Sequence, residues 1–123
     1  MQAMSHPHVL KFHEALLSDR NCYIVTELCL GGNLDERIKR GPPMSNTEIA
    51  GILMQLIEGM KYLRKMQVVH RDLKPANIFF GERIKIADFG LARFYTYISC
   101  DLGKDLRIWI LALLNICRLR DYY

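Results

Sequence analysis

The most constraining stretch runs from Ile78 to Ala87. It reads Ile78-Phe79-Phe80, then Gly81-Glu82-Arg83, then Ile84-Lys85-Ile86-Ala87. Two short strand-like runs joined by three residues that include Gly predict a β-hairpin. Both feet of this hairpin are polar. The octapeptide His70-Arg71-Asp72-Leu73-Lys74-Pro75-Ala76-Asn77 leads into it after Val68-Val69, and Asp88-Phe89-Gly90 leads out. A hairpin brings its ends together, so Asn77 and Asp88 become neighbours although they are distant in sequence.

These residues carry a resemblance. The octapeptide has the His-Arg-Asp-Leu-x-x-x-Asn pattern of a protein-kinase catalytic loop, and Asp88-Phe89-Gly90 is similar to the Asp-Phe-Gly turn that follows it. A chance polar loop would not supply both motifs in that order and at that separation. The chain resembles the eukaryotic-type protein kinases. Lys74-Pro75 is similar to the serine/threonine branch, because tyrosine kinases usually carry Ala-Ala-Arg or Arg-Ala-Ala there. The resemblance implies ATP- and Mg²⁺-dependent transfer of a phosphoryl group to a Ser or Thr of a protein substrate. Such chemistry asks the protein mainly for positioning and charge neutralisation. Asp72 would accept or orient the substrate hydroxyl, and Lys74 would sit near the transferred group. Mg²⁺ prefers hard oxygens and keeps several waters, so Asn77 and Asp88 would suffice as its protein ligands. Gly90 would permit a turn that a Cβ obstructs.

Other stretches extend the resemblance on both sides. Ser5-His6-Pro7-His8-Val9 resembles the family's approach to a small-lobe strand. Val9 to Leu16 is expected to form that strand, Asp19-Arg20-Asn21 a turn, and Cys22 to Glu27 the next strand. Phe12 would join His70 and Phe89 in an apolar column. Thr26 to Asn33 resembles the hinge between the kinase lobes. Thr26 would be the gatekeeper behind the adenine pocket. The Glu27 carbonyl and the Cys29 carbonyl and N–H would face the adenine edge, leaving the side chains weakly constrained. Phe79 would form the pocket floor. Asn33 falls where many kinases place a ribose contact, but with Glu36 it also makes a capping pair, and Gly41 closes the short helix. Pro42-Pro43 breaks the chain. Ser45 and Glu48 form a capping box for a long helix to about Lys65, with Ile49, Ile52, Leu53, Leu56, Ile57, Met60 and Leu63 along one stripe. Leu91-Ala92-Arg93 continues the family pattern after Gly90. The fold class expected is α+β, a partial protein-kinase fold. It would comprise two small-lobe strands, the hinge, the family's αD–αE core and the catalytic-loop hairpin.

Composition excludes several alternatives. The 123 residues carry a net charge of +4, with Lys and Arg scattered rather than clustered, so nucleic acid is not an expected partner. Cys22, Cys29, Cys100 and Cys117 form no Cys-x-x-Cys pair and read as free buried thiols. Met1 to Pro7 lacks signal-peptide character, so a cytoplasmic protein is expected. The apolar run Ile108–Cys117 is shorter than the roughly 20 residues of a membrane span. It reads as a covering helix, an unstructured or aggregation-prone end, or an interfacial helix.

The resemblance runs from about Ser5 to about Gly103, dividing the chain into a partial kinase domain, residues 1–103, and a divergent apolar tail, residues 104–123. The sequence has no Gly-x-Gly-x-x-Gly loop, no strand Lys with its helix Glu, and no Ala-Pro-Glu. The chain by itself is therefore expected to be inactive and to bind nucleotide weakly. By the resemblance Thr96 and Ser99 lie where an activation loop would carry phosphosites, with Arg71 as the cation that would receive such a phosphate; the other reading is that they are ordinary loop hydroxyls. The pattern breaks after Gly103 as a frameshift, retained intron or alternative exon would break it. The rival readings are a non-catalytic, pseudokinase-like binding fragment and an incomplete gene product.

Overall fold

The computed structural model describes residues 4–90 and 92–94. Expectations for Leu91, Thr96, Ser99, Cys100, Gly103, Cys117 and the tail fall outside the described residues. The architecture is α+β. In chain order it comprises β1 (Phe12–Leu17), β2 (Cys22–Thr26), α1 (Leu34–Arg40), α2 (Asn46–Lys65), β3 (Val68–Val69), a 3-10 turn at Pro75–Asn77, β4 (Ile78–Phe80), β5 (Ile84–Ile86) and β6 (Arg93–Phe94). The strands pair antiparallel as β1–β2, β3–β6 and β4–β5.

The core lies where α2 meets the β4–β5 hairpin. Ile52, Leu56 and Leu63 of α2 bury with Val9, Leu34, Val68, Leu73, Ile78, Ile84 and Ile86. Ile78 and Ile86 pair across the hairpin and are wholly buried, each contributing about 1.5–3 kcal/mol. The helical stripe narrows in the structure. Ile49, Leu53, Ile57 and Met60 flank the buried line and are only half-buried. Gly59 completes that line, and a Cβ there would lie 3.0 Å from the His8 carbonyl oxygen and 2.9 Å from Ile86 Cδ1. The His8–Val9 segment therefore runs directly over this glycine.

That contact explains why the first strand starts late. Val9 and Leu10 do not extend β1. The Leu10 N–H donates to the Ile86 carbonyl and the Ile86 N–H to the His8 carbonyl, both at 2.9 Å. Val9 is 2% exposed, so its side chain gains more in the core than in a ladder with β2. Phe12 opens β1 at a register shift and is not among the side chains packed against the core. His70 and Phe89 do meet, edge to face, with ring centroids 4.9 Å apart.

Both helices start at side-chain caps. Asn33 and Glu36 form a reciprocal capping box on α1, and the Glu48 N–H donates to Ser45 Oγ on α2 at 3.1 Å. The Glu48 carboxylate goes instead to Arg37 Nη2, at 3.0 and 3.1 Å, so the sequence's second capping box is only half a box. Gly41 ends α1 in extended backbone, φ −87°, rather than in the left-handed conformation glycine caps often use. Its lack of a Cβ leaves room for the Arg37 guanidinium.

Candidate active site

The 3-10 turn and β4 set the catalytic loop against the start of the hairpin. His70 is buried and bridges the two sides. Its Nδ1 accepts the Asp72 N–H at 3.2 Å, which leaves the ring proton on Nε2 to donate to the Ala87 carbonyl at 2.7 Å. Asn77 is 6% exposed. Its Nδ2 donates to the Asp72 carbonyl at 2.8 Å and to Asp72 Oδ2 at 3.3 Å. Lys74 Nζ lies 3.2 Å from the same Oδ2. This ion pair is partly exposed, more on the Lys74 side than on the Asp72 side, and adds little stability. Its effect is to hold ammonium, carboxylate and carboxamide around one oxygen.

Asp88 joins the group from the other strand. The Ala87 N–H donates to the Asn77 carbonyl at 2.9 Å, and Asp88 follows directly. Asp88 sits at φ +59° and Arg71 at φ +67°, left-handed conformations that cost non-glycine residues of order 1 kcal/mol or more. The left-handed residue of the turn is Asp88, and Gly90 has no positive φ, but a Cβ on Gly90 would lie a tight 3.2 Å from Asp88 Oδ1. Gly90 serves the turn through its N–H, which donates to Asp88 Oδ1 at 3.3 Å. The amide orientation of Asn77 leaves Oδ1 without a protein donor among the described residues. Carboxamide and carboxylate oxygens are the hard donors that Mg²⁺ takes, and the backbone bond from Ala87 to Asn77 brings the nearly buried Asn77 and the residue before the exposed Asp88 together.

The hinge is fixed to the hairpin at both ends. Beside α1's cap, the Gly31 N–H donates to the Phe80 carbonyl and the Phe80 N–H to the Gly32 carbonyl, both at 2.9 Å. Asn33 forms a bridge with Phe79, which is half-buried. At the near end the Glu27 N–H donates to the Lys11 carbonyl at 2.9 Å, and Glu27 Oε1 accepts the Lys11 N–H at 2.8 Å. Lys85 Nζ reaches the same Oε1 at 3.2 Å. The Glu27 side chain is therefore held, where sequence reasoning left it weakly constrained. Thr26 is exposed and its Oγ1 donates to the Glu27 carbonyl at 3.2 Å. Cys29 is half-buried. Burial first, and then the Glu27 charge, push its thiol pKa up, while Lys85 opposes them. Cys22 is exposed, so the expectation of buried thiols fails there. Asn33's Oδ1 is engaged by the Glu36 N–H at 2.9 Å.

The family model for the protein kinase domain matches residues 1–103. The chain belongs to the protein kinase family. It is similar to the yeast (Saccharomyces cerevisiae) cell cycle serine/threonine-protein kinase CDC5/MSD2, 40% identical over 93 residues, covering 74% of this chain and 13% of the yeast protein. The serine/threonine-protein kinase polo of Drosophila melanogaster is 39% identical over 93 residues, 74% of this chain and 16% of the fly protein. The CBL-interacting protein kinase 17 of Oryza sativa subsp. japonica is 38% identical over 103 residues, 82% of this chain and 23% of the rice protein. These relatives place the chain with the serine/threonine kinases, and the chain spans less than a quarter of the length of each.

Three features of this kinase portion escaped the sequence reading. The β3–β6 pair needs Arg93 and Phe94 to return beside Val68 and Val69, a pairing no local pattern announces. Gly59 stands in a helix where only its neighbours reveal the close approach. Lys85 alternates with Ile84 and Ile86 like any outward strand residue, so its ion pair with Glu27 was invisible. A groove of about 250 Å³ lies between α2 and the β4–β5 turn, bordered by Ile52, Gln55, Phe80 and Arg83 among others, and contains none of the candidate site residues.

Proposed function

We propose that this chain carries the central part of the catalytic site of a protein serine/threonine kinase, moving the γ-phosphoryl group of ATP to a Ser or Thr hydroxyl of a protein. The observation that carries the reading is Asn77, whose Nδ2 holds the Asp72 carbonyl and carboxylate while its Oδ1 has no protein donor among the described residues. In this reading Asp72 receives and orients the acceptor hydroxyl. Lys74, already at the Asp72 carboxylate, places positive charge where the phosphoryl group passes. Asn77 and Asp88 hold Mg²⁺, which when bound neutralises phosphate charge. The Glu27 carbonyl and the Cys29 peptide groups face the adenine edge, with Thr26 behind it and Phe79 beneath. Asn33 keeps its Nδ2 for a ribose hydroxyl while its Oδ1 caps α1. A kinase portion, residues 1–103, and a divergent tail, residues 104–123, go with this reading, as does a cytoplasmic location.

NMR titration with ADP and Mn²⁺ tests the site. Paramagnetic broadening centred on Asn77 and Asp88, and lost in Asp88→Ala, is the expected result. Broadening centred elsewhere, or unchanged in that variant, would overturn the metal assignment. The 123 residues contain no Gly-x-Gly-x-x-Gly motif, and catalytic parts that act as a unit fail together. A radiolabelled-ATP assay on this chain is therefore expected to show no transfer above the Asp72→Asn control. Transfer that Asp72→Asn abolishes would refute that inactivity.

A further inference from the structure

We infer that Glu27 and Lys85 form a positioning clamp that fixes the near end of the hinge against the nucleotide floor. The inference deepens the proposed ATP-site reading, and its consequence for nucleotide binding rests on that reading. The far end of the hinge is secured by backbone bonds between Gly31, Gly32 and Phe80. At the near end the link across to the hairpin is the side-chain ion pair, Lys85 Nζ to Glu27 Oε1 at 3.2 Å, with the two side chains only 14% and 28% exposed.

Three observations give the pair a direction. Glu27 Oε1 also accepts the Lys11 N–H, so one oxygen ties the approach to β1, the hinge and β5 together. Lys85 is the register partner of Phe79, so the clamp closes directly across the hairpin from the proposed floor. Finally, a Cβ on Gly81 would stand 3.4 Å from Cys29 Sγ and 4.0 Å from Lys85 Cγ. The Cys29 thiol and the lysine stem therefore flank the same bare glycine, and Cys29 lies within the field of both charged partners. Leu28 and Leu30, on either side, are 79% and 87% exposed and contribute no anchoring of their own. Moving the Glu27 carboxylate would shift the peptide groups of Glu27 through Cys29 relative to Phe79, with the α2–hairpin core left intact.

The test uses the 123-residue chain with Glu27→Gln, Lys85→Met, their double variant and Lys85→Arg. Three quantities are read: hydrogen exchange of hinge amides without nucleotide, Cys29 alkylation by iodoacetamide against pH, and the dissociation constant of ADP with Mg²⁺. The expected results start with faster exchange at Lys11 and the hinge amides in both single variants, and unchanged exchange in α2. The midpoint of Cys29 alkylation should fall in Glu27→Gln and rise in Lys85→Met, because the first removes a negative neighbour and the second a positive one. ADP binding should weaken about five- to tenfold in each, no further in the double variant, and recover in Lys85→Arg, as expected for a partly buried pair that acts as a unit. Same-direction alkylation shifts, additive losses, or unchanged hinge exchange would overturn the clamp. If the unaltered chain binds no ADP, the nucleotide reading falls. Hinge exchange and Cys29 alkylation still decide the clamp.

Discussion

Asn77 shows how much one amide can organise. It is nearly buried, gives both hydrogen-bond capacities of its Nδ2 to Asp72, and accepts the Ala87 N–H on its main-chain carbonyl. Asn77→Ala removes two bonds and leaves the Asp72 carbonyl unsatisfied, so a loss of about 1–3 kcal/mol is expected in urea unfolding. A loss below the error of the measurement would show that water replaces the amide without penalty. His6 supplies a second residue-scale prediction. Its ring stacks on Tyr62 at 4.7 Å and its Nδ1 accepts the His8 N–H at 3.1 Å. Burial first, then His8, hold its pKa below 6.5, with Lys85 acting in the same direction and Glu58 opposing. The folded state thus binds fewer protons than the unfolded chain in the window below 6.5. Stability is expected to be full above that value and to decline as pH falls through the folded pKa. His6→Asn keeps an acceptor for the His8 N–H without a titrating ring, so its urea midpoint should depend less on pH between about 7.5 and 5.5. Equal slopes for both proteins would exclude His6 as the source.

At the scale of the element, α2 is where sequence preference and packing separate. It is a 20-residue helix with Ser45 at its cap, so propensity alone treats both of its glycines as defects costing about 1 kcal/mol relative to Ala. The neighbours divide them. A Cβ on Gly51 meets nothing within 4 Å, whereas one on Gly59 meets His8 and Ile86. Gly51→Ala is expected to stabilise the chain by up to about 1 kcal/mol. Gly59→Ala is expected to destabilise it by roughly 1–3 kcal/mol, because the His8 backbone cannot move without breaking its bond to β5. Thermal unfolding of the two variants side by side measures the contrast, and shifts of the same sign would contradict it.

Over the whole molecule, stability is graded from the α2–hairpin core outward. Every residue of β2 is exposed, and in β1 all but Phe12 are; Leu17 and Ile24 are 82% and 64% exposed. A two-stranded ribbon with so little burial is marginal by itself. Amide exchange is therefore expected to be fastest in β1–β2 and slowest in the core, at Leu56, Ile78 and Ile86. Equal protection in both regions would contradict the grading. Neighbours along the chain were enough to specify the capped helices, the hairpin with polar feet and the octapeptide that marks the family. Caps, short turns and motif spacing are local, so all of these were legible in the amino-acid order. Contacts between distant residues were settled only on folding. Packing moved Val9 from β1 into the core, returned Arg93 and Phe94 to β3, and gave Asp88 a left-handed backbone. It also joined Glu27 to Lys85. The physical reason is that long-range contacts are chosen by which surfaces can be buried together, and a strand residue carries no local mark of the partner it will meet.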